Sequence, residues 1–303
     1  MDSVRTKLRE LKKKHNAVIL AHNYQLPEIQ DVADFGGDSL GLSLEAAKTT
    51  ADLIVFCGVY FMAETAKILS PEKTVIIPDK HAGCPMANMI TAAQVRELKQ
   101  RHPGAKVLCY VNSAAAVKAE SDVCCTSANA LAVARNAFSE QDEIIFIPDQ
   151  YLAKYTASQL ARKFIFWKGY CPTHARILPE HIQAQQRAHP DAEVLAHPEC
   201  TPAVTALAAK VLSTGGMSRY VQQAAAKEFI IATEKEMVYR LSVDNPRKKF
   251  YAATDQAGCP NMKKITLDKL VRALETGREE VIVPAEILPK ARRSIEAMLQ
   301  YTV

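Results

Sequence analysis

Val18-Ile19-Leu20-Ala21-His22-Asn23, Lys106-Val107-Leu108-Cys109-Tyr110-Val111 and Glu193-Val194-Leu195-Ala196-His197-Pro198 are versions of one another. Each is a short apolar run that ends on a polar ring, and His22, Tyr110 and His197 are 88 and 87 residues apart. Downstream of each lies a cysteine before a proline: Gly83-Cys84-Pro85, Tyr170-Cys171-Pro172 and Gly258-Cys259-Pro260, spaced by 87 and 88. Small hydroxyl-bearing turns keep the same phase at Asp38-Ser39, Thr126-Ser127 and Ser213-Thr214-Gly215-Gly216. A fixed period means a structural repeat, and about 87 residues is a small domain rather than a solenoid unit.

Working outward, each unit alternates strand-like and helix-like stretches. The first reads helix 4–14, strand 17–21, helix 39–49, strand 52–57, helix 62–69 and strand 74–77. The second reads 91–101, 106–111, 127–137, 143–147, 152–161 and 163–167. In the third, 179–188 precedes strand 193–196, helix 202–210, a turn over 213–219, helix 219–226, strand 228–232, helix 234–240 and strand 249–252. The strands are continuous apolar runs such as Leu53-Ile54-Val55-Phe56 and Ile144-Ile145-Phe146-Ile147, the signature of parallel strands buried on both faces. The fold class is therefore α/β: three pseudo-threefold-related αβα sandwich domains with short parallel sheets around a central site. The expected boundaries are 1–88, 89–175 and 176–264. A C-terminal extension over 265–303 packs on the repeats: a helix at 267–276, an in-phase strand at Val281-Ile282-Val283-Pro284, and a helix at 289–300.

Of the 303 residues, 48% are hydrophobic and 23% charged, the composition of an ordinary globular chain. No apolar run reaches the roughly 20 residues of a membrane span. The net charge of +5 is mostly local, since residues 1–14 hold six Lys or Arg against two acids. They lie on an amphipathic helix and read as a solvated face; no nucleic-acid motif accompanies them. The charged N-terminus does not fit a signal peptide, so a cytoplasmic location is expected, with neither membrane nor nucleic acid as partner. There the eight cysteines are thiols, ligands or nucleophiles rather than disulfides.

In parallel α/β sheets ligands gather at the C-terminal strand ends, where all the repeated polar positions fall. Three units around one axis would bring Cys84, Cys171 and Cys259 to a point. A structural zinc site wants paired cysteine spacings, which are absent. A [4Fe–4S] cluster accepts distant cysteines, and Cys-Pro is a familiar setting for its ligands; three thiolates leave one iron open as a Lewis acid. The competing reading is three buried thiols in equivalent core positions, against which the prolines and loop positions weigh. Cys57 and Cys109 fall in strands and read as core, and Cys124-Cys125 is a vicinal pair before a helix.

His22-Asn23-Tyr24-Gln25, Gly37-Asp38-Ser39, Cys84-Pro85, Tyr110-Val111-Asn112, Cys171-Pro172-Thr173-His174, His197-Pro198-Glu199-Cys200, Ser213-Thr214-Gly215 and Cys259-Pro260 together resemble the signature positions of the quinolinate synthase family, in order and over nearly the whole chain. Some members carry a C-x-x-C-x-x-C run near the last ligand; here only Cys259 is present. The resemblance implies a transferase of NAD biosynthesis. Its reaction condenses iminoaspartate with dihydroxyacetone phosphate to quinolinate, releasing phosphate and two waters. It further implies a [4Fe–4S] cluster on Cys84, Cys171 and Cys259, and L-aspartate oxidase or aspartate dehydrogenase as supplier of iminoaspartate. Glu199, Tyr24, Tyr110 and His22 are the expected catalytic groups. Substrate contacts are expected from His22, Ser39, Tyr110, Asn112, Ser127, His174, His197, Glu199, Ser213 and Thr214. Two rivals remain: another hydro-lyase with a three-cysteine cluster, and a non-catalytic iron–sulfur carrier or sensor. A carrier has no use for His, Tyr, Ser and Glu at three sets of strand ends.

Overall fold

The computed structural model describes residues 2–160 and 162–301. The described residues build three four-stranded sheets, all parallel and all with the same strand order. The first contains β1 (Ala17–His22), β2 (Phe35–Gly37), β3 (Leu53–Cys57) and β4 (Thr74–Ile76), ordered β2-β1-β3-β4. The second contains β5 (Lys106–Tyr110), β6 (Val123–Cys125), β7 (Ile144–Ile147) and β8 (Phe164–Phe166), ordered β6-β5-β7-β8. The third contains β9 (Glu193–Ala196), β10 (Lys210–Val211), β11 (Glu228–Ala232) and β12 (Lys249–Ala252), ordered β10-β9-β11-β12. Helices cover the sheets, so the α/β reading with three αβα units holds. The central strands are buried through their length, β3 and β7 without a single exposed residue, as two covered faces require.

The differences from the sequence reading sit at sheet edges and turns. The second strand of each unit is only two or three residues long, too short to leave a periodic signal. Residues 202–210 are a four-residue helix, Pro202–Thr205, followed by β10. The expected turn at 213–219 and helix at 219–226 are one helix, Thr214–Gln223, because Ser213 accepts the Gly216 N–H at 3.1 Å and starts the helix early. The helix expected to reach 161 is described over Gln150–Leu160, residue 161 lying outside the described residues together with 1, 302 and 303.

Residues 281–284, expected as a strand, form none of the sheets' strands. Val281 donates to Val75 O at 2.8 Å, and Glu280 bridges antiparallel to Ile76, so this segment borders β4 of the first sheet. Its alternation remains: Val281 and Val283 are buried while Ile282 is 72% exposed. The helix Leu267–Thr276 lies against the N-terminal helix Asp2–His15. The helix Leu288–Leu299 lies against Tyr60–Leu69 and Ala115–Ala119, bridging the first two units. Ser294 donates to Lys118 O across that seam at 2.9 Å. The basic N-terminal helix is paired to its surroundings by Arg5–Asp31, Lys7–Glu275 and Lys12–Asp34. Among the described residues no helix is long and apolar enough to cross a membrane.

Candidate active site

The C-terminal strand ends of all three sheets face one cavity of about 170 Å³. His22 ends β1, Tyr110 ends β5 and His197 follows β9, and all three line it. Two residues further on stand Tyr24, Asn112 and Glu199, again one per unit and again lining the cavity. In the two histidine units this spacing has a local cause. Tyr24 N–H donates to His22 Nδ1 at 3.2 Å, and Glu199 N–H to His197 Nδ1 at 3.3 Å. Each ring therefore accepts at Nδ1 and keeps its proton on Nε2, from which His197 reaches Ser127 Oγ at 3.1 Å. Burial drives both histidines down to about 3, so they work as neutral donors.

Cys84, Cys171 and Cys259 also line the cavity, each partly accessible, whereas the other five thiols are buried. Their loops are hung alike. The residue after each third-strand turn, Tyr60, Gln150 or Lys235, donates its N–H to the carbonyl two residues before the cysteine, at Ala82, Gly169 or Ala257. These bonds are 2.8, 2.8 and 3.0 Å long. Burial pushes the Cys84 thiol up to about 12 and raises Cys171 and Cys259 as well. A metal ion binding there must displace protons.

Glu199 is 3% exposed and sits at the centre of the polar groups. His174 Nδ1 lies 2.7 Å from its Oε2, off the line of an aligned hydrogen bond, and His197 Nδ1 is 3.9 Å away. Asn112 Nδ2 donates to Oε1 at 3.2 Å. Burial alone would push this carboxyl up. His174 beside it, with the Tyr110 hydroxyl, outweighs burial and holds it below the ordinary carboxylate range. Burial and the Glu199 charge keep both Tyr24 and Tyr110 protonated far above the usual phenol range. The site thus presents an anionic carboxylate beside neutral phenols and the neutral rings of His22 and His197, a set able to take and give protons.

The residues proposed from sequence converge here, with one difference. Ser39, Ser127, His174 and Thr214 line the cavity, but Ser213 is committed to capping the helix that Thr214 opens. Sequence reasoning missed Thr173, Arg176, Thr233 and Glu234. Arg176 is an exposed cation at the cavity wall. Thr233-Glu234 follows β11 where Pro148-Asp149 follows β7, so the repeat carried a signal for it. Glu234 accepts the Cys259 N–H and Lys263 Nζ, each at 2.9 Å. Asp149 accepts from Tyr151 and Leu152 at 2.8 and 2.7 Å and faces the Cys171 N–H.

A sequence profile described as "Quinolinate synthetase A protein" matches residues 6–300. A quinolinate synthase from Dehalococcoides mccartyi (strain CBDB1) is 56% identical over 97% of this chain and 97% of its own length. Those from Geobacter metallireducens and Methanosarcina barkeri are 51% and 49% identical, over 98% and 97% of this chain and 97% and 96% of theirs. Among solved structures, the E-1-hydroxy-2-methyl-but-2-enyl-4-diphosphate reductase from Plasmodium falciparum aligns over 93% of this chain and 86% of that one. Its TM-score is 0.30 and its identity 11%, too remote to bear on fold or function. Matched from end to end and at about half of its positions, this chain belongs to the quinolinate synthase family of enzymes.

Proposed function

We propose that the chain condenses iminoaspartate with dihydroxyacetone phosphate to quinolinate, with loss of phosphate and two waters. The observation that carries this reading is the meeting of three Cys-Pro loops and one His/Tyr/Glu set in a single cavity. The donor set fits a [4Fe–4S] cluster: three partly accessible thiols from three units, all soft ligands, line one cavity. Cys84, Cys171 and Cys259 would hold it, and its iron without a protein ligand supplies Lewis acidity toward a hydroxyl or carbonyl oxygen.

The chain's own residues do the remainder. Ser39, in the first turn of the helix Ser39–Lys48, and Thr214, which opens the helix Thr214–Gln223, present hydroxyls and N–H groups to carboxylate or phosphate. Ser127 stands between the cavity and His197 Nε2, and Arg176 adds a full positive charge. His22, neutral and Nε2-protonated, donates to a substrate oxygen without adding charge, and His197 acts on the substrate through Ser127. Glu199, kept ionised, takes protons from carbon or the amine, while the phenols of Tyr24 and Tyr110 deliver protons to departing oxygens. Asn112 orients Glu199 through its amide.

The residue ranges 1–88, 89–175 and 176–264, with an extension from 265, are our proposed domain division. The compartment in which eight free thiols persist is the reducing cytoplasm. The supplier of iminoaspartate is an L-aspartate oxidase or aspartate dehydrogenase. The test is anaerobic: protein reconstituted with iron and sulfide, supplied with both substrates, should form quinolinate at a rate proportional to bound iron. Full iron loading with no quinolinate would overturn the reading.

A further inference from the structure

Eight residues beyond the polar ring of each unit stand Gln30, Lys118 and Thr205. In the first two units this side chain does the same local job. Gln30 Nε2 donates to Gln25 O at 2.8 Å, and Lys118 Nζ donates to the equivalent carbonyl, Ser113 O, at 2.5 Å. Each bond pins the loop that leaves the strand end. A neutral amide does this in the first unit, so the pin needs a donor but no charge. Lys118 nevertheless brings an ammonium to a position with no exposure at all. Among the described residues it forms no salt bridge, and Glu64, the acid that acts on it most, accepts from Ala115 N–H at 3.2 Å instead.

A buried charge is costly unless an opposite charge offsets it. Lys118 Nζ lies 5.3 Å from the centroid of the Phe61 ring. Phe61 lines the cavity with Cys84 and Lys118 does not, so the charge stands behind the cavity wall. Burial lowers the lysine, while Glu64 and the thiols Cys124, Cys109 and Cys84 act the other way. A [4Fe–4S] core on three thiolates is a net anion, and in a dry interior its field is little screened. We propose that Lys118 is the buried counter-charge of the cluster that Cys84, Cys171 and Cys259 would hold, acting across Phe61, with Glu64 as the charge that opposes it. Lys118 touches neither cluster nor substrate. Its positive charge favours any further negative charge placed on the cluster, an electron included, and the Glu64 anion disfavours it. This rests on the proposed cofactor.

The test reads the cluster's reduction potential in two variants of the protein reconstituted anaerobically with iron and sulfide. Lys118→Gln copies the first unit: it keeps a donor for Ser113 O and removes the charge. Glu64→Gln keeps the shape and removes the opposing charge. Reduction is followed by electron paramagnetic resonance at controlled potentials. At the wild-type midpoint, Lys118→Gln should lower the reduced-to-oxidised ratio about tenfold, which is about 59 mV for one electron. Glu64→Gln should move the ratio the opposite way. Two buried substitutions that merely loosened the packing would not give shifts of opposite sign. A ratio unmoved in Lys118→Gln, or moved in the same direction by both variants, overturns the inference while the wild-type cluster still supports the proposed cofactor. If Lys118→Gln fails to fold, Glu64→Gln decides alone: a higher potential supports the counter-charge, and an unmoved or lower one overturns it. Wild-type protein that takes up no four-iron cluster overturns the cofactor itself, and the role of Lys118 with it.

Discussion

The Cys84 loop of the first unit and the Cys259 loop of the third share a backbone design but not an anchor. Both are tied to their own third strand, by Tyr60 N–H to Ala82 O and Lys235 N–H to Ala257 O. In the third unit, fully buried Glu234 also accepts the Cys259 N–H and pairs with Lys263. In the first unit the equivalent residue is Val59, with no acceptor to offer. Later chain holds that loop from outside instead: Lys264, at the end of the third unit, donates to His81 O at 2.7 Å, and Lys269 of the C-terminal extension pairs with Asp79 at 2.6 Å. A charge-assisted hydrogen bond made in the interior contributes about 1.5–3 kcal/mol. An exposed pair contributes roughly 0–1. The repeat therefore dictates where a cysteine is offered, and each unit's own side chains decide how firmly.

Replacing a ligand ignores that asymmetry. Cys84→Ser, Cys171→Ser and Cys259→Ser should each remove most bound iron and abolish turnover. Cys57→Ser and Cys200→Ser, buried in the core, should leave iron near wild type. Colorimetric iron and sulfide analysis decides it, and equal losses across all five would break the three-ligand assignment. Next in size is Glu199→Gln, which keeps the shape and removes the base. Turnover should fall about 100-fold or more with iron unchanged, so an active Gln variant with a full cluster would sink the role given to Glu199.

The anchors themselves come third. Glu234→Ala leaves the Cys259 N–H without its partner and should cost about 2 kcal/mol of stability, and iron should leave it faster in air. Lys264→Ala should change the denaturation midpoint by an amount near zero, within about 0.5 kcal/mol. Equal costs would mean that both loops are held alike. A glycine pair sharpens the same contrast. A Cβ at Gly215 would collide with the Asp38 carboxylate, whereas one at Gly83, beside Cys84, meets nothing within 4 Å. Gly215→Ala should therefore destabilise by about 1–3 kcal/mol and Gly83→Ala hardly at all, in parallel urea melts.

The last comparison concerns His22 and His197, one in each of these units. Burial lowers both to about 3 in the folded chain, against about 6.5 when unfolded. Between those values the unfolded state binds more protons, so stability falls as pH drops below about 6.5, by at most about 1.4 kcal/mol per pH unit for each ring. Glu199 is held below its usual range as well, and its contribution is lost only below about 4.3. Burial raises Asp149, Glu64 and Glu234, which take up protons in the folded chain as the pH falls, so the histidine contribution is read as the difference between variant and wild type. His197→Gln should lower the slope of stability against pH between about 6.5 and 4.5 by up to about 1.4 kcal/mol per pH unit, as followed by urea denaturation at fixed ionic strength. An unchanged slope would contradict two buried neutral rings.

How legible all this was depends on the length of the signal. β3 and β7 could be read from Leu53-Ile54-Val55-Phe56 and Ile144-Ile145-Phe146-Ile147, because both faces of these strands are covered and every residue is apolar. β2, β6 and β10 could not, because a two- or three-residue edge strand is specified by its neighbour's ladder rather than its own pattern. The cysteines, His22, Tyr110 and His197 were visible through the period, and Tyr24, Asn112, His174 and Glu199 through the family resemblance. Thr233 and Lys263 were not, because each acts on another unit and has no counterpart of its type in the repeat.

The sequence alone determined that three α/β units offer one cysteine and one polar ring apiece at strand ends, because a parallel βα unit sends its C-terminal loops to one side whatever surrounds it. Only the tertiary structure decided which hydroxyl meets which ring. Tyr24, Thr233, His174 and Glu199 come from three units and lie up to 209 residues apart along the chain. The contacts Tyr24–Thr233, Thr233–His174 and His174–Glu199, at 2.5 to 2.8 Å, are through-space ones that no local pattern encodes. The same holds for the tail: Val281 and Val283 read as a strand wherever they sit, but the open edge of β4 sets which sheet they border.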